Sequence, residues 1–318
     1  MTNPPARLER GHPFRQWKTW EMPGTGLTLT GYSRANDKTF LHIPELRCAL
    51  DAGLCEGRQA DTVLLTHTHA DHVKDLDFLA SRPGTDIYLP AEAVPFAESF
   101  LRASAELNHG AAYDPGLGGG HRLHGVRQGD EFTFGRGRRH HVRVVECVHK
   151  VPCVGYAVSE VGKALLPEYE ELRRSLAGQG RGGEFGRLVA ARRKAGVAVE
   201  QEVRRPLFAF LGDTHVSVFA RNPWLFAYPV IITECTFLHD SERERADRVG
   251  HTLWSDLRPV VEAHRHTLFV LTHFSLRHSD REVLDFFARE ADGGRLGNVL
   301  PWAHAGSLLP EQHQHDGR

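Results

Sequence analysis

Short apolar runs alternate along the chain with stretches of helical spacing. Five runs read as strands: 62–66 (TVLLT), 142–145 (VRVV), 207–211 (LFAFL), 230–233 (VIIT) and 267–271 (TLFVL). They are rich in β-branched and aromatic residues, and most are apolar on both faces, as strands covered from two sides must be. In 91–107 the residues Ala93, Phe96, Ala97, Phe100, Leu101 and Leu107 fall on one helical face. In 253–264 the residues Leu253, Leu257, Val260 and Val261 do the same. A third helix is expected over 280–290, with Asp280 as its N-cap. Strands interleaved with helices predict α/β layers.

Two stretches break this rhythm. Residues 109–125 (HGAAYDPGLGGGHRLHG) are Gly-rich and read as a loop. Residues 163–205 are polar, with Gly178, Gly180, Gly182, Gly183 and Gly186 close together and a local charge of +4. Arg136, Arg138, Arg139, His140 and His141 form a second basic group, read as a charged hairpin in preference to another phosphate contact. The polar tail 311–318 and its histidines, His313 and His315, are not read as ligands, and neither is His304.

Composition narrows the function classes. Of 318 residues, 41% are apolar and 25% charged, enough to build a core and too apolar for a disordered chain. A net charge of -1 excludes a histone-like polycation. No run approaches the roughly 18 apolar residues of a membrane span, and the first thirty residues lack an apolar signal core. Cys48, Cys55, Cys147, Cys153 and Cys235 are scattered and odd in number, as expected of reduced thiols in a cytoplasmic protein. The 21 histidines are the anomaly.

The densest chemistry is Thr66-His67-Thr68-His69-Ala70-Asp71-His72, directly after a strand. In extended chain His67 and His69 project to the same side. Asp71 and His72 follow where the chain turns into a helix, so they can aim at a second point nearby. Neutral imidazoles and a carboxylate packed this tightly are ligands for zinc and related ions. Further donors then belong at later strand ends, and His149, Asp213 and His273 each follow an apolar run there.

His67-Thr-His69-Ala-Asp71-His72, His149, Gly212-Asp213-Thr214 and Leu271-Thr272-His273-Phe274-Ser275 resemble the ordered motifs of the metallo-β-lactamase superfamily. Within it the chain is most similar to the ribonuclease Z branch, the tRNA 3′-processing endonucleases, in their short, plant-type form. Gly155-Tyr156, Glu234-Cys235-Thr236-Phe237-Leu238 and Gly250-His251 carry that narrower likeness, which runs from about residue 45 to 290.

The resemblance implies one αββα metallo-β-lactamase sandwich over residues 1–318, with 163–205 as an inserted basic, Gly-rich arm. It implies two Zn2+ per subunit, with Mn2+ or Fe2+ able to share such ligands. His67, His69 and His149 would hold one ion; Asp71, His72 and His273 the other; Asp213 would bridge them. The expected activity is removal of the 3′ trailer from a tRNA precursor by attack of a metal-bridged hydroxide. Asp71, His251 as general acid and Glu234 as its orienting partner would serve catalysis. Arg192, Arg193 and Lys194 would contact RNA, and a homodimer is expected. A dinuclear hydrolase of a small phosphodiester, sulfate ester or lactone shares every ligand and stays open, as does a non-enzymatic binding module.

Overall fold

The computed structural model describes residues 17–115, 119–291 and 296–304; His313, His315 and residues 1–16 lie outside the described residues. Two seven-stranded sheets face one another. The first holds, in spatial order, β1 (Lys18–Met22), β2 (Leu27–Arg34), β3 (Lys38–Ile43), β4 (Cys48–Leu50), β5 (Thr62–Leu64), β6 (Asp86–Pro90) and β7 (Arg122–Val126). The second holds β8 (Glu131–Phe134), β9 (His140–Glu146), β10 (Val154–Leu165), β11 (Glu200–Phe210), β12 (Val230–Glu234), β13 (Leu268–Thr272) and β14 (Val299–Pro301). β4 to β7 are parallel, as are β11 to β14; the remaining pairs are antiparallel.

Alternation along each strand makes three cores. Leu41, Ile43, Leu50 and Leu64 meet Val144, Tyr156, Phe208, Ile232 and Val270 between the sheets. Val63, Leu65, Ile87 and Leu89 turn the other way, towards α1 (Ala70–Val73), α2 (Leu76–Ala80) and α3 (Val94–His109). On the opposite outer face Ile231, Phe269 and Leu271 pack with side chains of α6 (Val218–Arg221), α8 (Trp254–Ala263) and α9 (Asp280–Glu290). Helix, sheet, sheet and helix therefore stack as the αββα sandwich expected. The Tyr156 hydroxyl crosses the middle, 2.7 Å from the Leu65 carbonyl and 2.9 Å from that of Tyr88, and ties the sheets together.

The remaining helices are α4 (Pro167–Gly178), α5 (Gly182–Lys194) and α7 (Arg243–Val249). α4 and α5 form a hairpin carried on the prolonged ends of β10 and β11, so the glycine-rich 163–205 stretch is folded, with Gly182, Gly183 and Gly186 inside α5. All five cysteines are buried free thiols.

Three local expectations change. α3 buries Ala97 and Leu101, but Phe96 and Leu107 are 70% and 83% exposed, so its apolar stripe is wider than the face it packs. The last part of 109–125 is strand, because Arg122–Val126 pairs with β6 as the sheet's edge. Ser279, not Asp280, caps α9: its hydroxyl accepts from the Glu282 N–H while Glu282 reaches back to the Ser279 N–H. Asp280 is thereby free to pair with Arg34 at 2.6 Å and Lys18 at 3.4 Å.

Candidate metal centre

The site lies where β5, β9, β11 and β13 end. β5 leads into a short extended segment that carries His67 and His69, and α1 then presents Asp71 and His72. His149 follows β9, Asp213 follows β11, and His273 follows β13. The turn after β11 needs Gly212: its φ is +60°, and a Cβ there would sit 2.6 Å from the Thr66 side chain. His273 holds a left-handed φ of 59° without being glycine, the kind of strain that recurs at functional sites.

All seven expected ligands converge, in two sets. His69 Nδ1 stands 3.1 Å from His67 Nε2 and 3.3 Å from His149 Nε2. Asp213 Oδ2 lies 3.6 Å from His67 Nε2 and 4.0 Å from His149 Nε2. In the second set His273 Nε2 is 3.3 Å from His72 Nε2 and 3.4 Å from Asp71 Oδ2. Asp213 Oδ1 is 3.4 Å from both of those imidazoles. One carboxylate thus offers one oxygen to each set. Asp213 Oδ1 is also buried without a hydrogen-bond partner, an atom whose burial is costly unless a cation meets it. The donor set fits a pair of divalent ions.

The imidazoles are aimed from behind. The Thr66 N–H and hydroxyl both donate to Asp51 Oδ1, at 2.7 and 2.9 Å, and the same hydroxyl lies 3.0 Å from His67 Nδ1. Asp51 Oδ2 takes His72 Nδ1 at 2.7 Å. His149 Nδ1 is held by the Gly250 carbonyl at 3.2 Å, and His273 Nδ1 by the Thr236 hydroxyl at 3.1 Å. Each backing contact leaves the opposite ring nitrogen of its histidine for an ion. Asp51 is fully buried and has a φ of 61°. Neither Asp51, Thr66 nor Thr236 was expected from the sequence in this role, although each lies within or near a strand-end motif.

Charge follows from these surroundings. Burial, then the neighbouring imidazoles, holds His67 neutral, well below its ordinary range; burial lowers His69 and His149 too. Neutral imidazole is the ligand form. Burial opposes protonation of His72 as well, but Asp213 and Asp51 together outweigh it and raise His72 well above its ordinary value. Burial would raise Asp71, but the hydrogen bond from His273 and the charge of His72 bring it to about 2.

His251 lines the same cleft. It follows Gly250, which ends α7 in left-handed conformation, and the His251 N–H returns to the Ala246 carbonyl at 3.1 Å. The ring therefore owes its place to the end of one helix and not to the start of the next. Its Nδ1 lies 2.7 Å from Glu234 Oε1. Burial disfavours the imidazolium, yet the Glu234 charge and hydrogen bond raise His251 to about 9. Glu234 is itself fixed by the Thr214 and Thr252 N–H groups at 2.8 and 3.1 Å and the Thr236 hydroxyl at 2.6 Å. The cleft encloses about 400 Å³, and Lys150 and Arg245 add positive charge to its walls. Arg192, Arg193 and Lys194 are not part of it; they occupy the last turn of α5, where Arg193 pairs with Glu200 at 2.7 Å.

Residues 49–166 match the model of the beta-lactamase superfamily domain. The chain is 27% identical over 271 residues to the chloroplastic tRNase Z TRZ2 of Arabidopsis thaliana, covering 80% of this chain and 69% of that protein. It is 27% identical over 271 residues to tRNase Z TRZ1 of the same plant, covering 82% and 89%. A ribonuclease Z of Streptomyces avermitilis is 32% identical over 172 residues, 52% of this chain and 54% of that one. The metallo-beta-lactamase fold protein YhfI from Bacillus subtilis superposes with a TM-score of 0.51 at 14% identity, covering 86% and 93%, a likeness of fold.

Proposed function

From a chain that carries a beta-lactamase superfamily domain and is homologous to plant tRNase Z, we propose a metal-dependent endoribonuclease that removes the 3′ trailer from tRNA precursors. The observation that carries the reading is Asp213, with one carboxylate oxygen turned to each of two imidazole sets. His67, His69 and His149 would hold one ion and Asp71, His72 and His273 the other, with Asp213 shared. Zinc suits this mixture of imidazole and carboxylate, and Mn2+ or Fe2+ accept the same donors. Bound there, the ions would activate water and neutralise charge on a phosphodiester.

The chain's own groups complete the reaction. His251, protonated through its bond to Glu234, donates a proton to the departing 3′ oxygen. Glu234, locked by three other donors, keeps the ring turned into the cleft. Asp71 accepts from the Asn36 N–H at 3.0 Å and orients the attacking water. Lys150 and Arg245 favour an anionic substrate.

We read 163–205 as an arm of a single-domain protein, with Arg192, Arg193 and Lys194 as phosphate contacts. β10 leaves the neighbourhood of the site at Val154 and reaches the arm at Leu165, about 35–40 Å away on the rise of a strand. We propose a homodimer in which the arm of one copy contacts RNA seated on the other.

Cleavage mapping on a precursor tRNA tests the reading. The zinc-loaded protein should release the trailer with a 5′-phosphate and leave a 3′-hydroxyl on the tRNA. Hydrolysis of bis(p-nitrophenyl) phosphate with the RNA left intact returns the small-substrate hydrolase. Inertness towards both returns the binding module.

A further inference from the structure

The basic residues of 136–139 stand on a turn whose setting favours the phosphate-contact reading over a plain charged hairpin. Gly135, Gly137 and Arg138 have φ of 80°, 68° and 51°, so the turn between β8 and β9 is a tight ridge with its arginines thrown outward. Arg138 is the unusual member, because a side chain is strained where glycine is not. The Val161 N–H donates to the Arg139 carbonyl at 2.7 Å, which lays the ridge beside the far half of β10 and the root of the arm. Between them runs a groove of about 720 Å³ lined by Arg138, Arg139, Lys163 and Arg193. It meets a second hollow, of about 1080 Å³, across Gly137 and Arg139.

Ion pairing separates these cations from Arg173, Arg174 and Arg181, while Arg187, Arg192 and Lys194 of α5 are exposed and likewise without a carboxylate within 4.0 Å among the described residues. Arg173 and Arg174 are spent on Glu170, and Arg181 on Glu184, all within one helical turn. In the groove Glu200 is taken by Arg193 and Glu202 lies 3.4 Å from Arg204. Arg138, Arg139 and Lys163 are exposed and have no carboxylate within 4.0 Å among the described residues. Three uncompensated cations along one groove form a locus for a polyanion.

We propose that this groove, at the root of the arm, binds the phosphate backbone of the RNA that the protein processes. The proposal rests on the RNA-processing reading for the identity of the RNA. Fixed cations on a rigid turn hold register along a backbone without reading bases, which suits a protein that must accept many tRNA precursors.

The test compares two triple variants of the full chain. One is Arg138→Gln, Arg139→Gln and Lys163→Gln; the other is Arg173→Gln, Arg174→Gln and Arg181→Gln. Binding is measured to an uncleaved RNA stem-loop across a potassium chloride series. The first triple should lose roughly tenfold or more in affinity at low salt, and the slope of log K against log salt should flatten by about 2. The second should change by less than about twofold. Hydrolysis of bis(p-nitrophenyl) phosphate should be unchanged in both, showing an intact centre. Equal losses in the two triples, or an unchanged salt slope in the first, overturn the proposal. So does loss of binding to phosphatidylserine vesicles with RNA binding retained. If the first triple misfolds, Lys163→Glu alone, on the exposed side of β10, decides by the same binding series. Because binding is read without turnover, failure to cut tRNA defeats the enzymatic reading and leaves the groove to be judged separately.

Discussion

Asp51 shows how much of the centre is made by a side chain that never reaches an ion. It is fully buried and spends its carboxylate on Thr66 and His72. Asp51→Asn keeps the shape and removes the charge, so metal affinity should fall about 10- to 100-fold with the fold retained; equilibrium dialysis against a zinc chelator measures it. His251 and Glu234 give a pH-dependent counterpart in the metal-free protein. Glu234 raises His251 from 6.5 to about 9, against burial. A raised value stabilises the fold fully below pH 6.5, and that contribution is lost as pH rises through about 9. At about 1.4 kcal/mol per tenfold step, the contribution is on the order of 3 kcal/mol. Glu234→Gln should therefore be more destabilising at pH 6 than at pH 10 by that order. Urea denaturation with chelator present reads the difference, and a deficit independent of pH would refute the assignment.

Elements deliver these residues through their ends. Arg34, 5% exposed at the end of β2, donates to Asp280 at 2.6 Å, to the Ser275 carbonyl at 2.8 Å and to the His278 carbonyl. It straps the segment after His273 to the first sheet, beside the Ala35 N–H to Phe274 carbonyl bond of 3.2 Å. Arg34→Met leaves Asp280 to Lys18 and the His304 N–H and takes a donor from two carbonyls, and should cost about 1–3 kcal/mol and loosen His273. Thermal unfolding and zinc stoichiometry check it. The proposed ligands were legible in the sequence because His149, Asp213 and His273 each follow an apolar run and the other four crowd one motif after β5. The strap was not: Arg34 and Asp280 are 246 residues apart and neither sits in a motif. β1 and β2 were missed because polar and apolar residues alternate in KTWEM and LTLTGYSR without a continuous apolar run. α3 misled in the other direction, since helical spacing reports an apolar stripe and not what covers it. Asp280 lost the cap to Ser279 because either residue can cap, and only the hydrogen bonds decide.

The whole molecule separates its chemistry from its outreach. The buried Leu176 and Val189 of the arm belong to none of the three cores that hold the sandwich. Replacing residues 166–199 with an Asn-Gly turn between Leu165 and Glu200 should leave hydrolysis of a small diester within about twofold. The same change should raise KM for precursor tRNA by about tenfold or more. Comparing the two substrates measures it; equal damage to both would tie the arm to the centre.

His67, His69, Asp71 and His72 come from the first sheet's side of the sandwich, and His149, Asp213 and His273 from the second. Ions held by the proposed ligands would act as a clasp across that seam, and withdrawing them would leave the halves joined by apolar packing, Tyr156 and the Arg34 strap. Chelation should then hasten tryptic nicking near the seam at least about threefold, because what binds the native state protects it. A starved cell would accordingly lose the polypeptide itself along with its turnover, and the steady-state amount of this protein would become a gauge of metal supply.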